Sequence, residues 1–271
     1  MKSANLTIMV NAARKASKTL LRDFGEIENL QISEKGPGDF VSNADKRAEE
    51  TIVAQLLGAR PTWDILAEEG SNKSTKAEYR FVIDPLDGTN NFLHGFPYWA
   101  ISIGLEKFDK DGNAEIVAGV VMNPVMDEIY YAEKGQGAFL NDRRIRVSGR
   151  KDTKLAFMGC GSASSYRRPH KAPFDIRDAL HRLGHSVNSV RCMNAAALDL
   201  AFVASGRYDA MVDLALKKWD CAAGIILVRE AGGKVTKPHD FSDGYEDGDI
   251  LASNFQLHEK LMRILSGTKE L

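Results

Sequence analysis

The sequence predicts a layered α/β fold, with helices packed on sheets in both halves of the chain. From Leu6 to Phe24, apolar residues recur at steps of three and four, which predicts one buried face of a helix. Later β-branched and aromatic runs, such as Phe81-Val82-Ile83, predict a mostly antiparallel sheet in the first half. In the second half, helix-like and strand-like segments alternate. Elements of both kinds bury their apolar faces when helices and sheets form layers.

The other elements follow in chain order. Gly36-Pro37-Gly38 breaks the chain after the first helix, and a second helix is expected to begin near Ser42 or Asn43 and to end before Arg60. The predicted strands are 64–67, 79–83, 99–105, 117–122, 128–132 and 208–214. The predicted helices of the second half are 175–183, 195–204 and 219–231, the last of them stopped by Gly232-Gly233.

We expect these elements to form one domain over residues 1–271. A chain of 271 residues can bury a large single core. The domain would consist of two closely packed halves, roughly 1–150 and 151–271, with the polar segment from Gly149 to Lys154 as the seam.

Bulk composition excludes several classes of protein. The formal net charge of −1 leaves no electrostatic footprint for nucleic acid or anionic lipid, so we expect no direct nucleic-acid binding. No apolar stretch is long enough to span a membrane and no signal peptide is expected, so the predicted location is the cytoplasm. Cys160, Cys192 and Cys221 form no CxxC pair, and we expect buried free thiols.

The most informative segment joins an apolar strand to two carboxylates, Asp84 and Asp87. Pro85 stiffens the turn between them, Gly88 allows close approach of the backbone to a ligand, and Thr89 can cap a following helix. Free N–H groups at such a helix start can hold phosphate. The carboxylates repel phosphate unless metal ions lie between, and their hard oxygens suit Mg²⁺, which also takes phosphate oxygens as ligands.

Two further acidic positions are candidate partners of this pair. Glu68 follows the predicted strand 64–67, just as Asp84 follows its own strand. Asp220 opens the predicted helix 219–231, where the helix dipole alone favours a carboxylate, so the metal and helix-start interpretations stay equally open. Taken singly, Thr89 can be a helix cap and Asp45 a polar residue on a helix.

Together these segments resemble the inositol monophosphatase family. The similarity covers 39–45, Glu68-Glu69, 83–97, 219–224 and 230–233, in order and at family-like spacing along almost the whole chain. It implies a five-layered α-β-α-β-α sandwich of the sugar-phosphatase type. It also implies a phosphomonoesterase that uses two or three Mg²⁺ ions and metal-activated water, is inhibited by lithium, and forms a homodimer.

The resemblance also implies roles for individual residues. The metal ligands would be Glu68, Asp84, the backbone carbonyl of Leu86, Asp87 and Asp220. The catalytic residues would be Thr89, Asp45 and Glu68, with Thr89 hydrogen-bonded to Asp45. The substrate-binding residues would be Asp87, Gly88, Thr89, Ala196, Asp213 and Asp220, of which Asp213 and Ala196 contact the alcohol part of the substrate.

The leading interpretation of the substrate, a small phosphorylated metabolite, is inositol-1-phosphate, with related polyol and sugar phosphates. Asn90 stands where many relatives carry Thr, and Asp213 is shorter than the Glu of animal enzymes. Lys217 and Lys218 add positive charge near the predicted pocket; the favoured interpretation of both is plain solvent exposure, and the alternative is contact with a second phosphate. The alternatives are a fructose-1,6-bisphosphatase or histidinol-phosphatase of the same fold, or a relative with a second role in the transcription and RNA machinery.

Overall fold

The computed structural model describes residues 2–26, 32–36, 39–161 and 176–267. Within these ranges the helices are α1 (Ala4–Phe24), α2 (Asn43–Ala59), α3 (Thr89–Leu93), α4 (Ile176–Ser186), α5 (Ala196–Ala204), α6 (Lys218–Glu230) and α7 (His258–Ser266). The strands are β1 (Ile32–Gly36), β2 (Asp39–Ser42), β3 (Asp64–Ala67), β4 (Tyr79–Asp87), β5 (Ala100–Phe108), β6 (Ala114–Asn123), β7 (Glu128–Glu133), β8 (Gly137–Leu140), β9 (Arg143–Ile145), β10 (Phe157–Cys160), β11 (Ser189–Arg191), β12 (Ala210–Asp213), β13 (Lys234–Thr236) and β14 (Ile250–Ser253).

Two large sheets organise the part of the chain that the structure describes. The first has the order β3-β4-β5-β6-β7-β8-β9 and is antiparallel except where β3 runs parallel to β4. The second has the order β11-β10-β12-β14-β13, with β10 parallel to both of its neighbours. The short β1–β2 hairpin stands apart from both.

Helices cover these sheets in five layers. Helices α1 and α2 pack on one face of the first sheet, through a core that contains Ile52, Phe81 and Trp99. Helices α5 and α6 lie between the two sheets and contact both. Helices α4 and α7 cover the outer face of the second sheet. The predicted α-β-α-β-α sandwich is therefore confirmed.

Glycines bring α6 unusually close to the first sheet. A Cβ atom at Gly104 on β5 would lie 2.7 Å from the Cβ of Ala222, and one at Gly119 on β6 would lie 2.7 Å from the carbonyl oxygen of Ala223. On the helix itself, a Cβ at Gly224 would lie 2.4 Å from the Cβ of Leu200 on α5. No side chain larger than hydrogen fits these positions unless α6 moves, so they fix its height above the sheet.

Most predicted elements are confirmed within a few residues, but several short ones were missed. Strands β1, β2, β10, β11, β13 and β14 were not predicted, because strands of three to five residues carry too few positions for a periodic pattern. Helix α7 was not predicted either, whereas β8 matches the strand expected after the turn 135–137 and β9 matches the basic strand expected at 143–147. Strand β4 also runs beyond its predicted end at Ile83, since the missing N–H of Pro85 is tolerated in an irregular part of the ladder. Asp175, the predicted start of a helix, lies outside the described residues.

The cysteine prediction is only partly right. Cys160 and Cys221 are buried, but Cys192 is exposed because it follows the end of β11, at the sheet edge. None of the helices that the structure describes combines the length and apolar character needed to cross a membrane.

Candidate active site

The two carboxylates of the central motif lie on one face of the first sheet, near the end of β4, because β4 is irregular there. In a regular strand, residues three apart point to opposite faces. Here Asp84 pairs with Ser102 and Asp87 pairs with Ala100, so β4 has one residue more than β5 between the two pairs. This bulge places both aspartates on the same face, and both are buried.

Mutual repulsion and burial dominate the electrostatics of this cluster. Burial, with the nearby carboxylates of Glu68, Asp87 and Asp220, raises the pKa of Asp84 well above its usual value. Burial and the charge of Asp220 likewise raise the pKa of Asp87, and burial raises the pKa of Asp220 to about 7. Such a set of carboxylate oxygens is costly by itself, and its chemistry fits divalent cations.

In each of these three carboxylates, one oxygen accepts a hydrogen bond from a backbone amide. Oδ1 of Asp84 accepts from the N–H of Leu86 at 2.9 Å, and Oδ2 of Asp87 accepts from the N–H of Ala197, at the start of α5, at 2.8 Å. In α6, Oδ2 of Asp220 accepts from the N–H of Lys217 at 2.7 Å. The helix-start interpretation of Asp220 therefore holds for one of its oxygens. As the side chains stand in the described residues, no three acidic, histidine or cysteine groups form a ready-made cation cage.

Thr89 is the first residue of α3, and its hydroxyl does not cap that helix. Gly88 is the N-cap, with φ at +92°. The hydroxyl of Thr89 instead lies 3.2 Å from Oδ1 of Asp45 and 3.1 Å from the carbonyl oxygen of Leu86. The cap interpretation is therefore wrong, and the contact with Asp45 is the one that the family resemblance implies.

Gly88 itself is required by both conformation and space. Its positive φ suits glycine, and a Cβ atom there would lie 3.0 Å from the carbonyl oxygen of Tyr98 and 3.2 Å from the Cβ of Ala195. The turn between β4 and α3 is thereby held closely against the segment that leads into α5.

Glu49 positions the loop that carries Glu68, and the sequence reasoning missed it. Its buried carboxylate accepts from the N–H of Glu69 at 2.7 Å and from the N–H of Ser71 at 2.8 Å. Glu49 lies one helical turn after Asp45 on the inner face of α2. That i, i+4 spacing from a predicted site residue was the signal available in the sequence.

The predicted substrate contacts come from β12 of the second sheet and from the start of α5. Asp213 ends β12, is buried, and accepts from the N–H of Leu214 at 2.8 Å. Ala196 begins α5, one residue before the amide that holds Asp87. Nearby, buried Asp199 accepts a hydrogen bond from the hydroxyl of Tyr98 at 2.5 Å. The sequence reasoning also missed Asp199, because its partner lies 101 residues away.

The first turn of α6, which carries Asp220, is held by two polar residues of β5. The hydroxyl of Ser102 donates to the carbonyl oxygen of Trp219 at 3.0 Å. The fully buried carboxylate of Glu106 lies 2.6 Å from Nε of Arg80 and 3.7 Å from Nζ of Lys218, and it accepts from the hydroxyl of Tyr245 at 2.8 Å.

These contacts correct the favoured interpretation of Lys218 as a solvent-exposed lysine, and they disfavour its alternative role as a ligand for a second phosphate. Its ammonium group lies 2.6 Å from the carboxylate of Glu246 and stacks 4.8 Å from the ring centroid of Tyr245, besides facing Glu106. The charge of Lys218 is therefore used in contacts that stabilise the fold. Lys217 is exposed at the N-cap of the same helix.

Comparisons with known proteins agree with this architecture. A model of the inositol monophosphatase family matches residues 2–270. A protein of Rhizobium meliloti described as inositol-1-monophosphatase is 47% identical over 266 residues, which cover 97% of each chain. The crystal structure of the extragenic suppressor protein suhB from Bartonella henselae matches with a TM-score of 0.89 at 44% identity, covering 97% of this chain and 98% of that one.

Other relatives carry different names. A protein of Xylella fastidiosa described as Nus factor SuhB is 38% identical, covering 98% of this chain and 95% of that protein. One of Aquifex aeolicus described as fructose-1,6-bisphosphatase/inositol-1-monophosphatase is 36% identical, covering 93% of this chain and 92% of that protein.

Proposed function

Since the chain belongs to the inositol monophosphatase family and is a phosphatase, we propose that it hydrolyses inositol-1-phosphate with the help of two or three Mg²⁺ ions. The observation that carries this proposal is the carboxylate cluster around the end of β4, in which Asp84 and Asp87 are buried, together with the contact between Thr89 and Asp45. The proposed ligands are Glu68, Asp84, the carbonyl oxygen of Leu86, Asp87 and Asp220. Bound Mg²⁺ would supply Lewis-acid activation of water and stabilisation of the leaving alkoxide.

The protein's own groups would orient the phosphate and move one proton. The backbone amides of Gly88 and Thr89 would hold phosphate oxygens at the start of α3. The hydroxyl of Thr89 donates towards Oδ1 of Asp45. Thr89 Oγ1 would therefore take a proton from the attacking water while passing its own to Asp45, with Glu68 as a second acceptor at the site.

Recognition of the alcohol part would fall to residues of β12 and α5. Asp213 would accept hydrogen bonds from polyol hydroxyls, and the small side chain of Ala196 would leave room for the ring. A site built to pair hydroxyls penalises analogues that lack them, because its polar groups are left unmatched. We expect the enzyme to act in the cytoplasm as a homodimer.

The alternatives draw less support from the site. The name of the Aquifex relative suggests activity on fructose-1,6-bisphosphate. Because Lys218 is engaged in ion pairs, the exposed Lys217 is left as the candidate ligand for the second phosphate of that substrate. A second role in transcription rests on the name of the Xylella relative. The complete set of proposed ligands favours catalysis as the main role.

The deciding experiment measures phosphate release from inositol-1-phosphate, fructose-1,6-bisphosphate, histidinol phosphate and adenosine bisphosphate while Mg²⁺ is titrated. We expect the highest kcat/KM on inositol-1-phosphate, no activity in excess EDTA, and inhibition by Li⁺ and Ca²⁺. Equal activity in EDTA would contradict the metal mechanism. A higher kcat/KM on histidinol phosphate or the nucleotide would overturn the substrate assignment alone.

A further inference from the structure

Two cysteines that are distant in sequence become neighbours in the fold. Cys160 ends β10, and Cys192 immediately follows β11, the parallel neighbour of β10. The register pairs Met158 with Val190 and Gly159 with Arg191. The next step of this register places Cys160 beside Cys192.

The surroundings of the cysteines give them different reactivities. Cys192 is exposed, and the hydrogen bond from Cys160 lowers its pKa to about 7, so a large fraction is thiolate at neutral pH. Cys160 is fully buried directly behind it. Cys221 is also fully buried, in α6, where burial raises its thiol pKa and its Sγ lies 3.4 Å from the carbonyl oxygen of Lys217.

The segment that follows Cys192 holds two parts of the active site. The carbonyl oxygen of Met193 accepts from Nδ2 of Asn91, in α3, at 2.6 Å. Four residues further on, the N–H of Ala197 donates to Oδ2 of Asp87. A displacement of Cys192 is therefore transmitted over a few residues to a proposed metal ligand and to the helix that follows Gly88.

We propose that Cys160 and Cys192 are a peroxide-sensitive thiol pair, and that their reversible disulfide lowers turnover by displacing the segment 193–197. In the first step, the Cys192 thiolate attacks hydrogen peroxide, forming a sulfenic acid and releasing hydroxide. In the second, the Cys160 sulfur attacks the sulfenic sulfur, the disulfide forms, and water leaves with the thiol proton. Two thiols and one peroxide thus give one disulfide and two waters, and a dithiol reductant reverses the change.

Geometry sets the expected size of the effect. Neighbouring strands lie about 4.8 Å apart, which is within the range of about 4.4–6.8 Å that a disulfide allows between its Cα atoms, so the bond can close between these strands. Its Cβ atoms must then lie about 3.8 Å apart, which reorients Cys192 at the start of the segment 193–197. A misplacement of about 1 Å at an active site can cost about 10²-fold in rate, so a smaller shift suffices for the tenfold loss expected below. The thiol chemistry stands independently, whereas the effect on turnover rests on the proposed function.

The test treats the full-length protein with hydrogen peroxide, then follows the intact mass, the disulfide-linked peptides and phosphate release from inositol-1-phosphate. We expect wild type to lose two hydrogen masses, to yield a peptide joining Cys160 to Cys192, and to lose at least tenfold in kcat. Dithiothreitol should restore both mass and rate. Cys221→Ser, the matched control, should behave like wild type.

Two variants separate the steps. Cys192→Ser should keep its activity in peroxide, and Cys160→Ala should accumulate a Cys192 sulfenic acid that dimedone labels, without a disulfide. Absence of the joined peptide from oxidised wild type, or equal inactivation of Cys192→Ser, would overturn the proposal. A disulfide that leaves kcat unchanged would overturn its regulatory part. If untreated wild type released no phosphate, the proposed function would fail while the mass measurement still decided the thiol chemistry.

Discussion

The Asp87 side chain accepts a backbone hydrogen bond, which asparagine could also accept, and carries a negative charge, which asparagine lacks. Its Oδ2 accepts from the N–H of Ala197, and its pKa is raised by burial and by neighbouring carboxylates. For Asp87→Asn we therefore expect kcat to fall by more than about 10²-fold, beyond the range seen for residues that merely support ligands. The melting temperature in EDTA should stay equal or rise, because one buried like charge is removed.

Steady-state kinetics at saturating Mg²⁺ and thermal unfolding in EDTA check this prediction. The exposed Asp111→Asn is the control, and it should change neither quantity. Full turnover of Asp87→Asn at ordinary Mg²⁺ concentrations would remove Asp87 from the ligand set.

Glu49 tests whether the loop of Glu68 is positioned from α2. Glu49→Gln keeps the volume but turns an NH₂ group towards one of two backbone donors, the amides of Glu69 and Ser71. We expect the Mg²⁺ concentration for half-maximal activity to rise about tenfold, the lower end for residues that orient ligands. Glu50→Gln, at the exposed next position, should leave it unchanged. Equal Mg²⁺ curves for the two variants would contradict this role.

Sequence reasoning identified the site residues that end strands or begin helices. It missed the residues that hold these strand ends and helix starts in place. Asp84, Asp87 and Glu68 stand at the ends of apolar runs, where a carboxylate is conspicuous. Ser102 and Glu106 sit inside β5, and their partners Trp219 and Lys218 lie more than a hundred residues away. Local pattern carries no information on such pairings, because they exist only once α6 has packed on the sheet.

At the scale of elements, β5 and α6 behave as one unit. Glu106→Ala would leave Arg80 and Lys218 without their shared buried carboxylate, and breaking such a pair costs about 3 kcal/mol or more of unfolding free energy. It should also weaken Mg²⁺ binding, since Lys218 opens the helix that carries Asp220.

Denaturant unfolding and direct titration with Mn²⁺ measure these two effects. The control is Glu115→Ala, which removes an exposed ion pair with Lys134 and should cost less than about 1 kcal/mol. A Glu106→Ala protein with wild-type stability and Mn²⁺ affinity would show that β5 does not fix α6.

The irregular end of β4 is an element that could not be predicted from the sequence. The pattern predicted a strand that stops at Ile83, because proline and two aspartates disfavour a strand. The ladder nevertheless continues to Asp87, since the partner strand β5 tolerates the bulge. Register of this kind is decided by the neighbouring strand, so only the fold reveals that both aspartates share a face.

The whole molecule should unfold as one unit, as expected for a single domain. Helices α5 and α6 come from the second half of the chain, yet they pack on both sheets. Neither half can therefore lose its structure without exposing apolar surface of the other. We expect one calorimetric transition, with the calorimetric enthalpy equal to the van't Hoff enthalpy. Two resolved transitions in the reduced, metal-free protein would indicate two domains instead.

The glycine contacts under α6 have a consequence for divergence among related enzymes. Gly104, Gly119 and Gly224 leave no spare volume around the helix of Asp220, so substitutions there disturb the catalytic distances at once. The proposed substrate contacts Asp213 and Ala196 belong to a different strand and helix. Side-chain substitutions at those two positions can therefore alter recognition of the alcohol part without filling the space around α6, as long as the amide of Ala197 keeps its contact with Asp87.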